Sequence, residues 1–187
     1  MNLNTKGKVL TPEFFARDCL EAAPELVGKL LAVETEDGVK ALRITETEAY
    51  RGEEDTACHA HIGRTPRNEV LYMRPGTVYV YLCYGIHWLL NFITAEENVP
   101  QGVLIRACEG YEGPGKLTKA LGITGAFNRA YLGECGLYII DDGLRPEITT
   151  MPRVGIAYAS PVDREKPWRF VMKSSDSPLN SKGRSPR

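Results

Sequence analysis

The run Ile44-Thr45-Glu46-Thr47-Glu48-Ala49-Tyr50 sets two carboxylates and a phenol at alternate positions. In a strand, alternate side chains share a face, so Glu46, Glu48 and Tyr50 are expected to point the same way. Two carboxylates that close push one pKa upward, which is the raw material of an acid/base site. The plainer alternative is a solvated sheet face carrying surface ion pairs. A second cluster follows in Thr77-Val78-Tyr79-Val80-Tyr81-Leu82-Cys83-Tyr84-Gly85. There Tyr79 and Tyr81 share a strand face, and Tyr84 stands beside a glycine at an expected hairpin tip. A ring at a tip is poorly placed for burial in its own core and well placed to enter a base stack or a pocket. Otherwise Tyr79 and Tyr81 are half-buried core residues and Tyr84 rests on a neighbouring loop.

The polar stretch before these tyrosines carries His59, His61, Arg64, Arg67, Asn68 and Arg74. Cys58-His59-Ala60-His61 contains metal-binding residue types, but the spacing fits no standard zinc finger and no second ligand pair follows at a suitable distance. Loop histidines more ordinarily hydrogen-bond a ligand or the backbone. The arginines and Asn68 make a candidate phosphate-contact loop. Further on, Gly110-Tyr111-Glu112-Gly113-Pro114-Gly115-Lys116 satisfies G-x-x-x-x-G-K, and Leu137-Tyr138-Ile139-Ile140-Asp141 looks like an apolar strand ending in a magnesium-holding Asp. Two features count against a nucleotide hydrolase. The residue after Lys116 is Leu117, with no hydroxyl, and Asp141 follows too soon for a crossover helix and another strand. The same Gly-rich approach to a helix can still hold one phosphate of a nucleic-acid backbone.

The elements that must position these residues can be read from pattern. Thr11-Pro12 marks the start of a short helix, and a second helix is expected near Pro24 with Leu26, Val27, Leu30 and Leu31 on its buried face. Residues 30–35 and 39–50 read as strands around the turn Glu36-Asp37-Gly38. Residues 51–76 read as a long loop, a length that usually signals function or disorder. Strands are expected at 77–84, 86–94, 103–107, 137–140 and 153–159, and a helix at 116–121. Strands at hairpin spacing with irregularly placed helices indicate a single α+β domain on a mainly antiparallel sheet.

Composition agrees with a globular chain. Of 187 residues, 43% are hydrophobic and 25% charged, which excludes a disordered chain, a collagen-like repeat and a long coiled coil. No apolar run reaches the span of a bilayer, and no signal-peptide pattern precedes Glu13. The five cysteines lie far apart, odd in number, and are expected to be reduced thiols. Residues 1–150 hold 15 Lys and Arg against 21 Asp and Glu, whereas residues 151–187 hold 8 against 3. An acidic body with a basic end can still bind phosphates locally. From residue 173 onward the hydrophobic pattern stops, as expected of a flexible basic tail after a domain spanning 1–172.

Over about residues 10–172 the chain resembles the alkyladenine (3-methyladenine, or methylpurine) DNA glycosylase family. The likeness rests on blocks in one order: Glu46-Thr47-Glu48-Ala49-Tyr50, Thr65-Pro66-Arg67-Asn68, Arg74-Pro75-Gly76-Thr77-Val78-Tyr79-Val80-Tyr81, Tyr84-Gly85, Asn91, Leu104-Ile105-Arg106-Ala107, Gly113-Pro114-Gly115-Lys116-Leu117 and Arg153-Val154-Gly155-Ile156. The resemblance implies a curved sheet with a protruding hairpin. It also implies a monofunctional, base-flipping glycosylase that hydrolyses the bond to alkylated or deaminated purines in double-stranded DNA and leaves an abasic site. By position, Glu48 would activate the attacking water with Arg106 helping to hold it. Tyr50, His59 and Tyr81 would line the base pocket, and Asn91 at its wall would exclude bases with an exocyclic amino group in the minor groove. Tyr84 would be the wedge that fills the vacated stack, and Lys116 would be a backbone contact. Apart from the resemblance, the acidic body leaves phosphate contacts to few residues, Arg67, Arg74, Lys116, Arg153 and Lys173. Glu46 would be structural. No metal, cofactor or membrane is implied. The expected partner is duplex DNA, met by a monomer in the cytoplasm and nucleoid of a bacterium or the nucleus of a eukaryote. One geometric condition follows: a two-residue turn at Tyr84-Gly85 would send Tyr81 and Asn91 to opposite faces, so a shared pocket needs an odd connection or a bulge.

Overall fold

The longest strand carries the first chemical cluster. In a computed structural model, which describes residues 7–173, ten strands and three helices alternate irregularly. The strands are β1 (Lys8–Val9), β2 (Leu30–Thr35), β3 (Gly38–Arg51), β4 (Val78–Cys83), β5 (His87–Thr94), β6 (Gln101–Cys108), β7 (Tyr111–Glu112), β8 (Leu137–Asp141), β9 (Ile148–Met151) and β10 (Arg169–Met172). The helices are α1 (Cys19–Leu26), α2 (Pro114–Leu121) and α3 (Pro161–Glu165). The sheet runs β1-β8-β2-β3-β6-β5-β4, with β10 on β3, β9 on β10 and β7 on β6, and every named pairing is antiparallel. This is the expected single α+β domain on an antiparallel sheet.

The β2–β3 hairpin closes through Glu36-Asp37, with Gly38 at φ +117 supplying a backbone conformation that side chains disfavour. Residues 44–51 of β3 then pair with β6, while Glu46, Thr47 and Glu48 also pair with β10. The main core lies between the sheet and the helices, with Phe15, Leu26, Leu31, Ile44, Phe92, Leu117 and Ile139 fully enclosed. Burying each such side chain is worth about 1.5–3 kcal/mol. The loop at 51–76 is ordered by its own smaller core of Cys58, Ala60, Val70, Leu71 and Tyr72, and it contains two 3-10 turns.

Three expectations are corrected. The second helix starts at Cys19, capped by Asp18, whose Oδ1 accepts the Leu20 N–H at 2.9 Å. It ends before Gly28, which sits at φ +89 with no room for a Cβ against Pro146, so Leu30 and Leu31 belong to β2. Thr11 does precede a 3-10 turn at Pro12–Phe15, but its side chain makes no capping bond. Residues 153–159 are turns and not a strand, because Gly155 takes φ +79 and breaks the alternation. The closing strands are β9 and β10 instead. The G-x-x-x-x-G-K stretch, against which Leu117 and the spacing to Asp141 already count, is no phosphate loop of a parallel sheet: β7 folds back on β6, and β8 lies between β1 and β2, far from β6 in strand order.

Among the described residues, no helix is long and apolar enough to cross a membrane, and all five cysteines are free thiols. The expected tail lies outside the described residues from position 174 onward.

Candidate active site

Between β3 and β6 the register slips twice. Ile44 faces Cys108, Glu46 faces Ala107 and Thr47 faces Ile105, so Thr45 and then Arg106 are left as extra residues. A bulge of this kind re-aims a side chain. The Arg106 Nε lies 3.1 Å from Glu46 Oε1 and 3.4 Å from Glu48 Oε1, so both carboxylates do meet on one face, tied by a guanidinium. Glu48 is fully buried. Its Oε1 also accepts the Val154 N–H at 2.8 Å, and its Oε2 accepts the Tyr50 hydroxyl at 2.9 Å. Burial raises the Glu48 pKa, and Arg106, the Val154 N–H and the Tyr50 hydroxyl oppose that rise only in part. Burial and the neighbouring carboxylate hold the Tyr50 phenol well above its ordinary pKa, so it stays a hydrogen-bond donor.

A small cavity of about 40 Å³ opens beside this centre, walled by Tyr50, His59, Tyr79, Tyr81, Asn91 and Tyr158. It adjoins a cleft of about 620 Å³, and Tyr50, His59, Tyr81 and Tyr158 line both. The rings brace one another: His59 meets Tyr81 edge-on with centroids 4.8 Å apart, and its Nδ1 lies 3.0 Å from the Tyr79 hydroxyl. Burial, then Arg67, lowers the His59 pKa and favours the neutral ring. Asn91 donates from Nδ2 to the carbonyls of Tyr79 and Leu89, at 3.2 and 3.4 Å, which fixes its amide in the cavity wall.

Asn91 reaches that wall because the β4–β5 turn has three residues. Cys83 pairs with His87, leaving Tyr84, Gly85 and Ile86 at the tip, and Tyr79 pairs with Asn91. The odd count puts Tyr79, Tyr81 and Asn91 on one face, as a shared pocket requires. Tyr84 stands at the tip with φ +50 and is 90% exposed. Ile86 beside it is also exposed.

The cleft gathers Arg67, Arg106 and Lys116 against one carboxylate, Glu112, so it is cationic on an acidic body. Arg74 lies outside the cleft wall, its guanidinium stacked 3.6 Å from the Tyr131 ring centre. Arg153 has a different place from the phosphate contact expected of it. Its side chain is fully buried, pairs with Asp55 at 2.5 Å and sits over the Tyr50 ring. Asn68 is buried too and holds its loop through the carbonyls of His59 and Gly63, and Arg64 is paired with Glu69. Among the described residues, no group of three or more His, Cys, Asp or Glu is placed to hold a metal ion.

Two contributors escaped the sequence reading. Val154 acts through its backbone N–H, for which a side-chain pattern carries no signal. Tyr158 is 68% exposed in the cleft and anchored by its hydroxyl on the Ala57 carbonyl at 2.8 Å. The alternation Val154, Ile156, Tyr158 mimicked a strand, and the one usable hint was Gly155 within it.

Fold and site together define an α+β protein with a buried, hydrogen-bonded carboxylate beneath an aromatic, cationic cleft. The family model for methylpurine-DNA glycosylase matches residues 13–112 and 109–176. A protein of Nitrosococcus oceani provisionally named 3-methyladenine DNA glycosylase is 45% identical over 184 residues, covering 88% of this chain and 90% of that one. A Methanocella arvoryzae protein of the same name is 43% identical over 188 residues, covering 89% and 94%. A Bacillus subtilis counterpart is 43% identical over 178 residues, covering 84% and 89%. The chain belongs to the methylpurine-DNA glycosylase family.

Proposed function

We propose that this protein is a DNA repair glycosylase that extrudes an alkylated purine from duplex DNA and hydrolyses its N-glycosidic bond, leaving an abasic site. The observation that carries the reading is Glu48: a buried carboxylate whose partners Tyr50, Arg106 and Val154 all line the cleft. A base inside a duplex is unreachable, so the enzyme must unstack and extrude it. Tyr84, exposed on the hairpin, enters the gap, and the extruded purine lies against Tyr50, His59 and Tyr81. Arg67 and Lys116 on the cleft wall take neighbouring phosphates. The fixed amide of Asn91 rejects a base bearing an exocyclic amino group where it would abut that wall.

Glu48, ionised, takes a proton from water as the water oxygen attacks C1′ of the sugar. Arg106 helps to hold that water. The C1′–N bond breaks with its electron pair going to the purine, so a cationic 3-methylpurine leaves as a neutral base. One carboxylate then suffices where ordinary glycosidases use two. Glu46 is committed to two guanidinium groups and takes no part as an acid. A tyrosine, not an amine, holds the wedge position, so the reaction stops at the abasic site without a lyase step.

The test is single-turnover release of base from methylated duplex DNA, with EDTA present. Glu48→Gln is expected to lower the rate at least ~100-fold, the scale of a positioned general base, while lesion-DNA binding persists. Tyr84→Ala is expected to weaken both binding and rate. Lesion-selective binding with no release by the unsubstituted protein would instead mark a lesion-binding module.

A further inference from the structure

The two groups that meet Glu48 Oε1 are held by one residue on another strand. Arg169 of β10 pairs in register with Glu48 of β3, so their side chains share a face. The Arg169 Nη1 donates to Glu46 Oε1 at 2.9 Å, the same oxygen that lies 3.1 Å from the Arg106 Nε. Its Nε donates to the Pro152 carbonyl at 2.8 Å, and its Nη2 reaches Met151 Sδ at 3.4 Å. Pro152 lies two residues before Val154, whose N–H is the backbone donor to Glu48. A rigid planar fork therefore ties the Pro152 carbonyl and the Met151 side chain to Glu46, and through them fixes both the Val154 N–H and the Arg106 guanidinium.

We propose that Arg169 is a positioning residue for the glycosylase reaction, which sets both contacts of Glu48 Oε1 without touching substrate itself. The inference rests on Glu48 acting as the base. Arg106, Glu46 and Arg169 are largely buried and in direct contact with one another, so they transmit small displacements, and about 1 Å of misplacement at a reacting centre costs up to ~100-fold in rate. The charged and titratable groups around Glu48 are Arg106 of β6, Glu46 and Tyr50 of β3, Tyr81 of β4, Arg169 of β10, and Arg153 and Tyr158 of the loop after β9. Arg106 and the Val154 N–H both favour ionised Glu48. Loosening them raises its pKa, so the acid limb of the rate profile moves to higher pH.

The experiment compares R169M, R169K and E48Q with the unsubstituted protein on methylated duplex DNA, reading single-turnover rate against pH, affinity for a duplex bearing an abasic-site analogue, and thermal melting. R169M is expected to react ~10–100-fold more slowly with unchanged affinity and an acid limb moved upward. R169K recovers part of the rate, because one ammonium reaches Glu46 or Pro152 but does not fork to both. An R169M with the unsubstituted rate and pH profile overturns the proposal, as does a rate loss matched by equal losses of affinity. If R169M does not fold, R169K decides: the same profile as the unsubstituted protein overturns the role. E48Q separates the two readings. An active E48Q defeats the base assignment itself, whereas an inactive E48Q beside an unperturbed R169M defeats only the positioning role.

Discussion

At the scale of the residue, the proposed role of Glu48 as a base requires it to be ionised, and it is enclosed where ionisation is costly. Its raised pKa means that the rate should climb with pH through a limb lying above the usual carboxylate range, read from single-turnover release between acid and neutral pH. The same shift has a stability consequence with a definite sign. A carboxyl whose pKa is higher folded than unfolded stabilises the fold while protonated, and that contribution is lost as pH rises through the folded value. Glu48→Gln should therefore melt higher than the unsubstituted protein at neutral pH, by a few degrees at most, with the gap closing in acid. Arg106 keeps Glu46 as its partner in that variant, so no buried guanidinium is stranded. An equal or lower melting point at neutral pH would mean that the ion pair outweighs the burial. His59 is held neutral near pH 7 and offers a stacking face and a hydrogen bond, not a charge.

Elements decide which of these residues meet. The β4–β5 turn contributes an exposed ring at its tip and, through its odd count, the face on which Asn91 lies. Deleting Ile86 leaves a two-residue turn that flips the parity of β5 against β4. That deletion should lower the melting temperature and abolish base release, whereas Ile86→Ser, which keeps the count, should retain the fold by the same melting assay. Gly115 illustrates a close approach of a different kind. A Cβ there would lie 2.8 Å from the His87 ring, so Gly115→Ala pushes α2 away from β5 and carries Lys116 with it. The expected result is weaker duplex binding with little change in the chemical step, measured by separating affinity from single-turnover rate.

Taken whole, the molecule is near neutral with an acidic body, and its cleft concentrates cations locally. Two cleft cations free to meet phosphates, Arg67 and Lys116, give a slope of log K against log salt of about −2, at ~0.9 per contact. A shallow slope of this size, lowered by about one unit in either Arg67→Ala or Lys116→Ala, is the expected outcome of a salt titration on undamaged duplex. Arg74 lies on Tyr131 outside the cleft, and Arg74→Ala should leave the slope unchanged. A slope near −6 would place far more of the surface on the DNA.

Local pattern was enough for much of this. The alternation of Glu46, Glu48 and Tyr50, the tyrosine beside a glycine, and the Asp37-Gly38 turn are properties of short stretches, governed by side-chain parity and backbone sterics. They were legible without coordinates, and so was the demand for an odd turn between Tyr81 and Asn91. What parity does not carry is which strands become neighbours and where a ladder slips. The double bulge that turns Arg106 onto two carboxylates depends on a pairing between segments far apart in the chain, and the Val154 N–H and the place of Arg169 on contacts between residues over one hundred apart. Arg153 shows the limit most clearly. In the sequence it is one more cation able to meet a phosphate; in the fold it is buried on Asp55, because the loop at 51–76 brings that carboxylate to it. Residue types and spacing determined which chemistry was available, and long-range pairing and burial decided which groups were free to perform it.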